Sequence, residues 1–105
     1  MPLPQKNNQI VTLADASKLT ANFRKQAGKS ATKGGLFWKE YIEKIIDQPG
    51  CVAMRYYHAH QDDGTPAIVL VGVDAEGSDI TGGTILELGP MCPPFCPPPP
   101  DPFNG

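Results

Sequence analysis

From residue 12 onward the apolar positions fall into two helical stretches followed by three strand-like ones. Leu13, Ala16, Leu19, Phe23 and Ala27 recur at steps of three and four, which traces one face of a helix over residues 13–27. Thr12, with Asp15 three places on, has the spacing of a capping box, and Gly28 is a natural stop. A polar loop, GKSATKGG, separates this helix from the next. There Phe37, Trp38, Tyr41, Ile42, Ile45 and Ile46 make a wide apolar stripe, while Lys39, Glu40, Glu43, Lys44 and Asp47 lie between them. The stripe predicts a helix over 36–47, supported by the Glu40–Lys44 spacing and ended by Gln48-Pro49-Gly50.

The period then shortens to about two. CVAMRYYH (51–58) reads as a strand rich in aromatic residues, Gln61-Asp62-Asp63-Gly64 as a turn, and AIVLVGVD (67–74) as the strongest strand in the chain. After the turn Ala75-Glu76-Gly77-Ser78 and the Gly82-Gly83 step, a weaker strand covers 84–88. The order predicts an α+β fold: two N-terminal helices packed on a three-stranded antiparallel meander, followed by an extended polyproline tail. The divisions expected are an extended arm over 1–11, a globular domain over 12–88 and a tail over 89–105. In the middle strand Ala67, Val69, Val71 and Val73 point one way, and Ile68, Leu70 and Gly72 the other. Both faces are apolar, so both need a cover, from the tail or from a second copy of the chain.

The tail, GPMCPPFCPPPPDPFNG, holds eight of the twelve prolines. Pro97, Pro98, Pro99 and Pro100 favour polyproline II, a rod without internal hydrogen bonds. Such a rod is ordered before it docks, so docking costs little entropy. Phe95 and Phe103 flank it as apolar anchors. The combination fits a groove lined by apolar side chains, in its own body, in a neighbouring copy or in another protein.

Charge adds little to this picture. The net charge of -2 creates no field that would draw the chain onto nucleic acid. Its distribution is uneven: residues 1–46 carry eight Lys/Arg and three Asp/Glu, residues 47–105 one Arg and eight Asp/Glu, balances of +5 and -7. No apolar run approaches a membrane span, and the N-terminus lacks the apolar stretch of a signal peptide, so the expected compartment is the cytoplasm. In that compartment three cysteines favour free thiols, metal ligands or a transient redox pair over a disulfide framework.

Several stretches carry candidate chemistry. Gly28-Lys29-Ser30 has the end of a phosphate-binding loop, but Phe23 stands where that motif needs glycine and a helix precedes it. Arg24, Lys25, Lys29 and Lys33 then read as a solvated basic loop. Asp74, Glu76 and Asp79 surround a glycine, but the run is too short for a calcium loop, and a hairpin turn explains it. His58 and His60 alternate on a strand, and with Cys92 and Cys96 they would offer zinc two imidazoles and two thiolates. Cys92 and Cys96 could instead close a small disulfide loop or act as a redox pair, although prolines deny them the helix N-terminus that such pairs use. Cys51 reads as a buried small hydrophobe. His58 with Asp62 or Asp63 would make a dyad, but no nucleophile accompanies it, and no enzymatic activity is expected.

QPGC (48–51), VLVGVDAEGSD (69–79) and CPPFC (92–96) together give the chain a likeness to known sequences. Over roughly residues 12–96 it resembles a family of small uncharacterised bacterial proteins with Q-P-x-C, L-V-G-V-D-x-x-G-x-D and C-P-P-x-C motifs. That resemblance implies no catalytic or binding residues. The expectation is a non-enzymatic structural or interaction protein without a cofactor. It would form a homo-oligomer, by way of the apolar face around Ile68 and Leu70 and exchange of the docked tail. The alternative is a small zinc-binding or thiol redox-responsive domain built on Cys92, Cys96, His58 and His60.

Overall fold

The computed structural model describes residues 2–104; Met1 and Gly105, the outer ends of the expected arm and tail, lie outside the described residues. The elements in chain order are α1 (Leu13–Ala27), β1 (Gly34–Gly35), α2 (Lys39–Ile46), β2 (Cys51–His60), β3 (Pro66–Asp74), β4 (Ile85–Glu87) and β5 (Met91–Cys92). The α+β class holds: two helices accompany a three-stranded antiparallel sheet in the order β2-β3-β4. The chain divides into two compact units. One holds residues 2–5 and 36–89, with α2 and the meander; the other holds 6–35 and 90–104, with α1 and the tail. Only α2 therefore shares a unit with the sheet, where the sequence placed both helices.

In the first unit α2 begins three residues later than its apolar stripe suggests. Leu36 cannot join the helix because its carbonyl accepts from Gly89 N–H at 3.2 Å, in line with β4. Trp38, at φ -67° and ψ 138°, is the N-cap. At the other end Asp47 N–H donates to Glu43 at 2.9 Å, and Gln48 turns the chain into β2. Strand β2 runs two residues past the expected end, to His60, and the hairpin closes through Gln61 N–H to Thr65 at 2.7 Å. Gly64, at φ 87°, takes the left-handed position that this turn requires.

Register decides what each face of the sheet carries. Arg55 lies opposite Val71, Tyr57 opposite Val69 and Ala59 opposite Ala67; between them Met54 faces Gly72, Tyr56 faces Leu70 and His58 faces Ile68. Helix α2 lies on the second of these faces: a side chain on Gly72 would lie 3.4 Å from Ile45, the most fully buried side chain in the unit. Ala67, Val71 and Val73 are buried on the first face. Both faces of β3 are thus largely removed from water, in keeping with its unbroken apolar sequence.

Gln48 fastens α2 to the sheet. Its side-chain amide donates to Ile45 O at 2.9 Å, and its amide oxygen accepts from Thr84 N–H at 2.9 Å. A Cβ on Gly83 would come within 1.8 Å of that oxygen. The Gly82-Gly83 step lies in the loop before β4, with a close approach at Gly83.

In the second unit α1 matches its expected bounds. Thr12 is the N-cap, its hydroxyl accepting from Asp15 N–H at 3.1 Å. The glycines ending the polar loop form β1, which pairs antiparallel with β5, Gly34 opposite Cys92 and Gly35 opposite Met91. Lys33 N–H extends this ladder to Cys92 O at 2.7 Å. The tail thus starts as a strand, and it does not continue as a straight rod. Phe95 N–H donates to Met91 O at 2.9 Å, and the Asp101 carboxylate accepts from the N–H groups of Phe103 and Asn104, both at 2.9 Å. The residues between the prolines supply the donors that a pure polyproline segment lacks, and the chain turns at each of them.

Replacing Gln48 by alanine is expected to cost about 1–3 kcal/mol in urea unfolding, because it strands Thr84 N–H. Gly83→Ala is expected to be destabilising in the natural chain and less so beside Gln48→Ala, which removes the atom it meets. Equal costs of Gly83→Ala in both backgrounds would show that Gln48 is not the contact that forbids a side chain there.

Candidate functional site

Three side chains form a polar cluster on the sheet face that carries Val71 and Val73. Arg55 and Tyr57 alternate along β2, and an isolated bridge between Val73 and Asp79 brings the Asp79 carboxylate beside them. The Arg55 guanidinium pairs with one Asp79 oxygen and donates to Gly77 O at 3.2 Å; the Tyr57 hydroxyl donates to the other Asp79 oxygen. The hydrogen bond from Tyr57, with Arg55 adding to it, holds Asp79 below the ordinary carboxylate pKa. The same hydrogen bond pushes the Tyr57 phenol up, because ionising it would break the contact. Arg55 and Tyr57 each hold one oxygen of Asp79, and together they pin the turn after β3 to β2.

Two of the three carboxylates of DAEGSD have partners within the chain. Asp74 accepts from Glu76 N–H at 3.0 Å and Ser78 N–H at 2.9 Å, while Asp79 belongs to the cluster. Asp63, proposed as a partner for His58, caps Thr65 N–H at 2.9 Å, and hydrogen bonds from Thr65 hold its pKa down. His58 instead meets Tyr56 edge-on, with ring centroids 5.5 Å apart. His58 and His60 both lie exposed on β2.

Cys92 and Cys96 are joined in a disulfide, one of the forms their spacing left open, and Cys51 is a half-buried free thiol. A bonded pair offers zinc no thiolate. Among the described residues no group of three or more His, Cys, Asp and Glu side chains is gathered to hold a metal ion. None of the helices described is long and apolar enough to cross a membrane.

The interface residues inferred from the sequence divide between the units. Ile68 and Leu70 are half-buried on the α2 face of β3. Beside them, Leu36, Trp38 and Tyr41 face Ile85 and Leu86 across an apolar groove of about 290 Å³. In the second unit Phe103 docks against α1: with Leu19, Thr20, Phe23, Arg24 and Lys33 it lines a groove of about 260 Å³, and Arg24 donates to its carbonyl. Phe95, the other expected anchor, is 69% exposed and holds nothing. Pro97, Pro98, Pro99 and Pro100 are exposed, apart from the chain on either side of them.

No family model matches this chain, no curated protein matches its sequence, and no solved structure matches its fold.

The Asp79 cluster makes the stability of the fold depend on pH with a definite sign. A carboxylate whose folded pKa is depressed stabilises fully above the ordinary value near 3.9 and loses that contribution as pH falls through the folded value. Denaturant midpoints of the natural chain are expected to fall over this acid window, and Asp79→Asn should flatten the fall while lowering the midpoint at neutral pH. An unchanged acid limb in Asp79→Asn would assign the depressed carboxylate to another residue.

Proposed function

We propose that this chain is a non-enzymatic structural or interaction protein that self-associates, using the sheet of the first unit as its contact surface and the Pro-rich tail as a docked clasp. The observation that carries the reading is the shortage of buried apolar surface. Only Ile45, Ala67, Val71, Val73 and Cys92 are buried hydrophobic residues among those described, while Trp38, Tyr41, Val52, Met54, Tyr56, Tyr57 and Ile85 of the first unit stay exposed. A soluble chain gains by covering a patch of this kind, and a second copy is the partner always at hand. The folded tail supports the second half of the reading: Phe103 and Arg24 tie it to α1, while Phe95 remains free for another surface.

A second reading rests on the disulfide. The Cys92–Cys96 bond lies where β5 pairs with β1, so its reduction loosens the start of the tail; on this reading the clasp responds to thiol redox state. Unfolded, unreduced protein is then expected to show one reactive thiol per chain, that of Cys51, and three after reduction. Three thiols before reduction would remove the redox reading.

Native mass spectrometry of the full-length chain tests the leading proposal. The expected result is species at multiples of 11.3 kDa without a metal increment. A chain ending at Cys96 keeps β5 and the disulfide but loses Phe103, and it is expected to assemble less. A monomer at every concentration would overturn self-association, and unaltered assembly of the shortened chain would remove the tail from it.

A further inference from the structure

Strand β2 has one bare edge, and its sequence is unusual for a bare edge. Ile68 O accepts from Leu88 N–H and Gly72 O from Ile80 N–H, both at 2.8 Å, so the even-numbered residues of β3 turn their backbone groups toward β4. The odd-numbered residues of β3 therefore bond to β2, through the pairs that include Val71 with Arg55 and Val69 with Tyr57. It follows that Met54, Tyr56 and His58 point their N–H and C=O groups away from β3. Among the described residues no other backbone group bonds to them.

Native sheets protect such edges with lysine, proline, inward charges or strong bulges. Over residues 52–60 β2 has no lysine and no proline, and its irregularity lies at the far end, between Cys51 and Ala53. Its one charge, Arg55, is neutralised by Asp79. Met54 is 41% exposed and Tyr56 61%.

We infer that β2 pairs edge to edge and antiparallel with β2 of a second copy, about a two-fold axis at Tyr56, joining two meanders into one six-stranded sheet. This inference deepens the self-association reading and rests on it.

The register follows from the strand itself. Only an axis at a whole residue lets outward groups meet outward groups. Tyr56 is the midpoint of Met54, Tyr56 and His58, the residues whose backbone groups point outward, so an axis there engages all three: Tyr56 with Tyr56, and Met54 with His58 in both directions. An axis at Arg55 would set two guanidinium groups opposite each other. An axis at Tyr57 shifts Met54 onto His60, at the hairpin end of the strand. With the axis at Tyr56, Arg55 of each copy lies opposite Tyr57 of the other, so no like charges meet across the pair. The apolar face is extended too, because Tyr56 shares its side of the sheet with Leu70, and His58 with Ile68.

Cysteine crosslinking in full-length protein carrying Cys51→Ala tests the register. Across a hydrogen-bonded antiparallel pair the Cα atoms lie about 5.5 Å apart, within reach of a disulfide. Tyr56→Cys is expected to oxidise to a covalent dimer. Met54→Cys is not, because its two copies are offset by four residues, about 13 Å along the strands; mixing it with His58→Cys restores crosslinking. Tyr56→Lys, which sets two ammonium groups across the axis, is expected to weaken dimerisation at least tenfold in analytical ultracentrifugation. If the natural chain assembles but Tyr56→Cys does not crosslink, or Met54→Cys alone crosslinks equally well, the β2 edge is not the interface and only this inference falls. A natural chain that is monomeric at every concentration overturns both this inference and the reading beneath it.

Discussion

Strand β3 hydrogen-bonds on both sides, and the fold of the first unit depends on how it does so. Residues turned toward β2 alternate with residues turned toward β4. Because the side-chain period is two, a slip of one residue would move Val71 and Val73 to the α2 face and bring Leu70 and Ile68 to the other. The slip is resisted at each end of the strand. At one end Gly72 leaves room for Ile45 and Gln48, which any side chain at that position would meet. At the other, the hairpin through Gly64 fixes how many residues separate β2 from β3. The Arg55–Tyr57–Asp79 cluster adds a third pin, from a turn to a strand.

With β3 satisfied on both sides, the unpaired backbone of the sheet is confined to the outer edges of β2 and β4. Strand β4 is short, and Leu36 already takes up its continuation at Gly89. Strand β2 is ten residues long and has nothing comparable. Its length follows from the hairpin, since pairing to β3 as far as His60 requires strand conformation whether or not the far side is covered. An exposed edge of this length is a hazard in a monomer and a recognition surface in an assembly. Its side chains are aromatic and sulfur-bearing, which suits the second role.

How much of this could be seen in the sequence differs from element to element. Helix α1 was legible to the residue because its cap, its period and its glycine stop all lie within one window. The start of α2 was not, because what removes Leu36 from the helix is Gly89, far along the chain. Gln48 and the Asp79 cluster were hidden for the same reason: each becomes meaningful only when the meander brings residues 48 and 84, or 57 and 79, together. The bends of the tail were not legible locally. Its prolines outvoted Phe95, Asp101, Phe103 and Asn104, yet the N–H groups and carboxylate of these four residues bend it. Cys92 and Cys96 were singled out as a pair, but spacing alone left disulfide, zinc and redox forms open.

The uneven charge of the sequence takes a clearer form in the two units. The unit with α1 and the tail carries six Lys/Arg against Asp15 and Asp101, a balance of +4; the unit with the sheet carries three against nine carboxylates, a balance of -6. Long-range electrostatics alone would bring unlike units together and hold like sheets apart. That repulsion acts weakly at the β2 edge. The carboxylates of the sheet unit lie on α2, at the end of β3, in the turns and on β4, whereas β2 itself has none, and the one that touches it, Asp79, is paired with Arg55. At physiological ionic strength the field of those carboxylates fades over about 8 Å, so backbone pairing along β2 is decided by its own uncharged contacts. Charge thus disfavours random contact between sheets, while along β2 the one charge, Arg55, is already neutralised by Asp79.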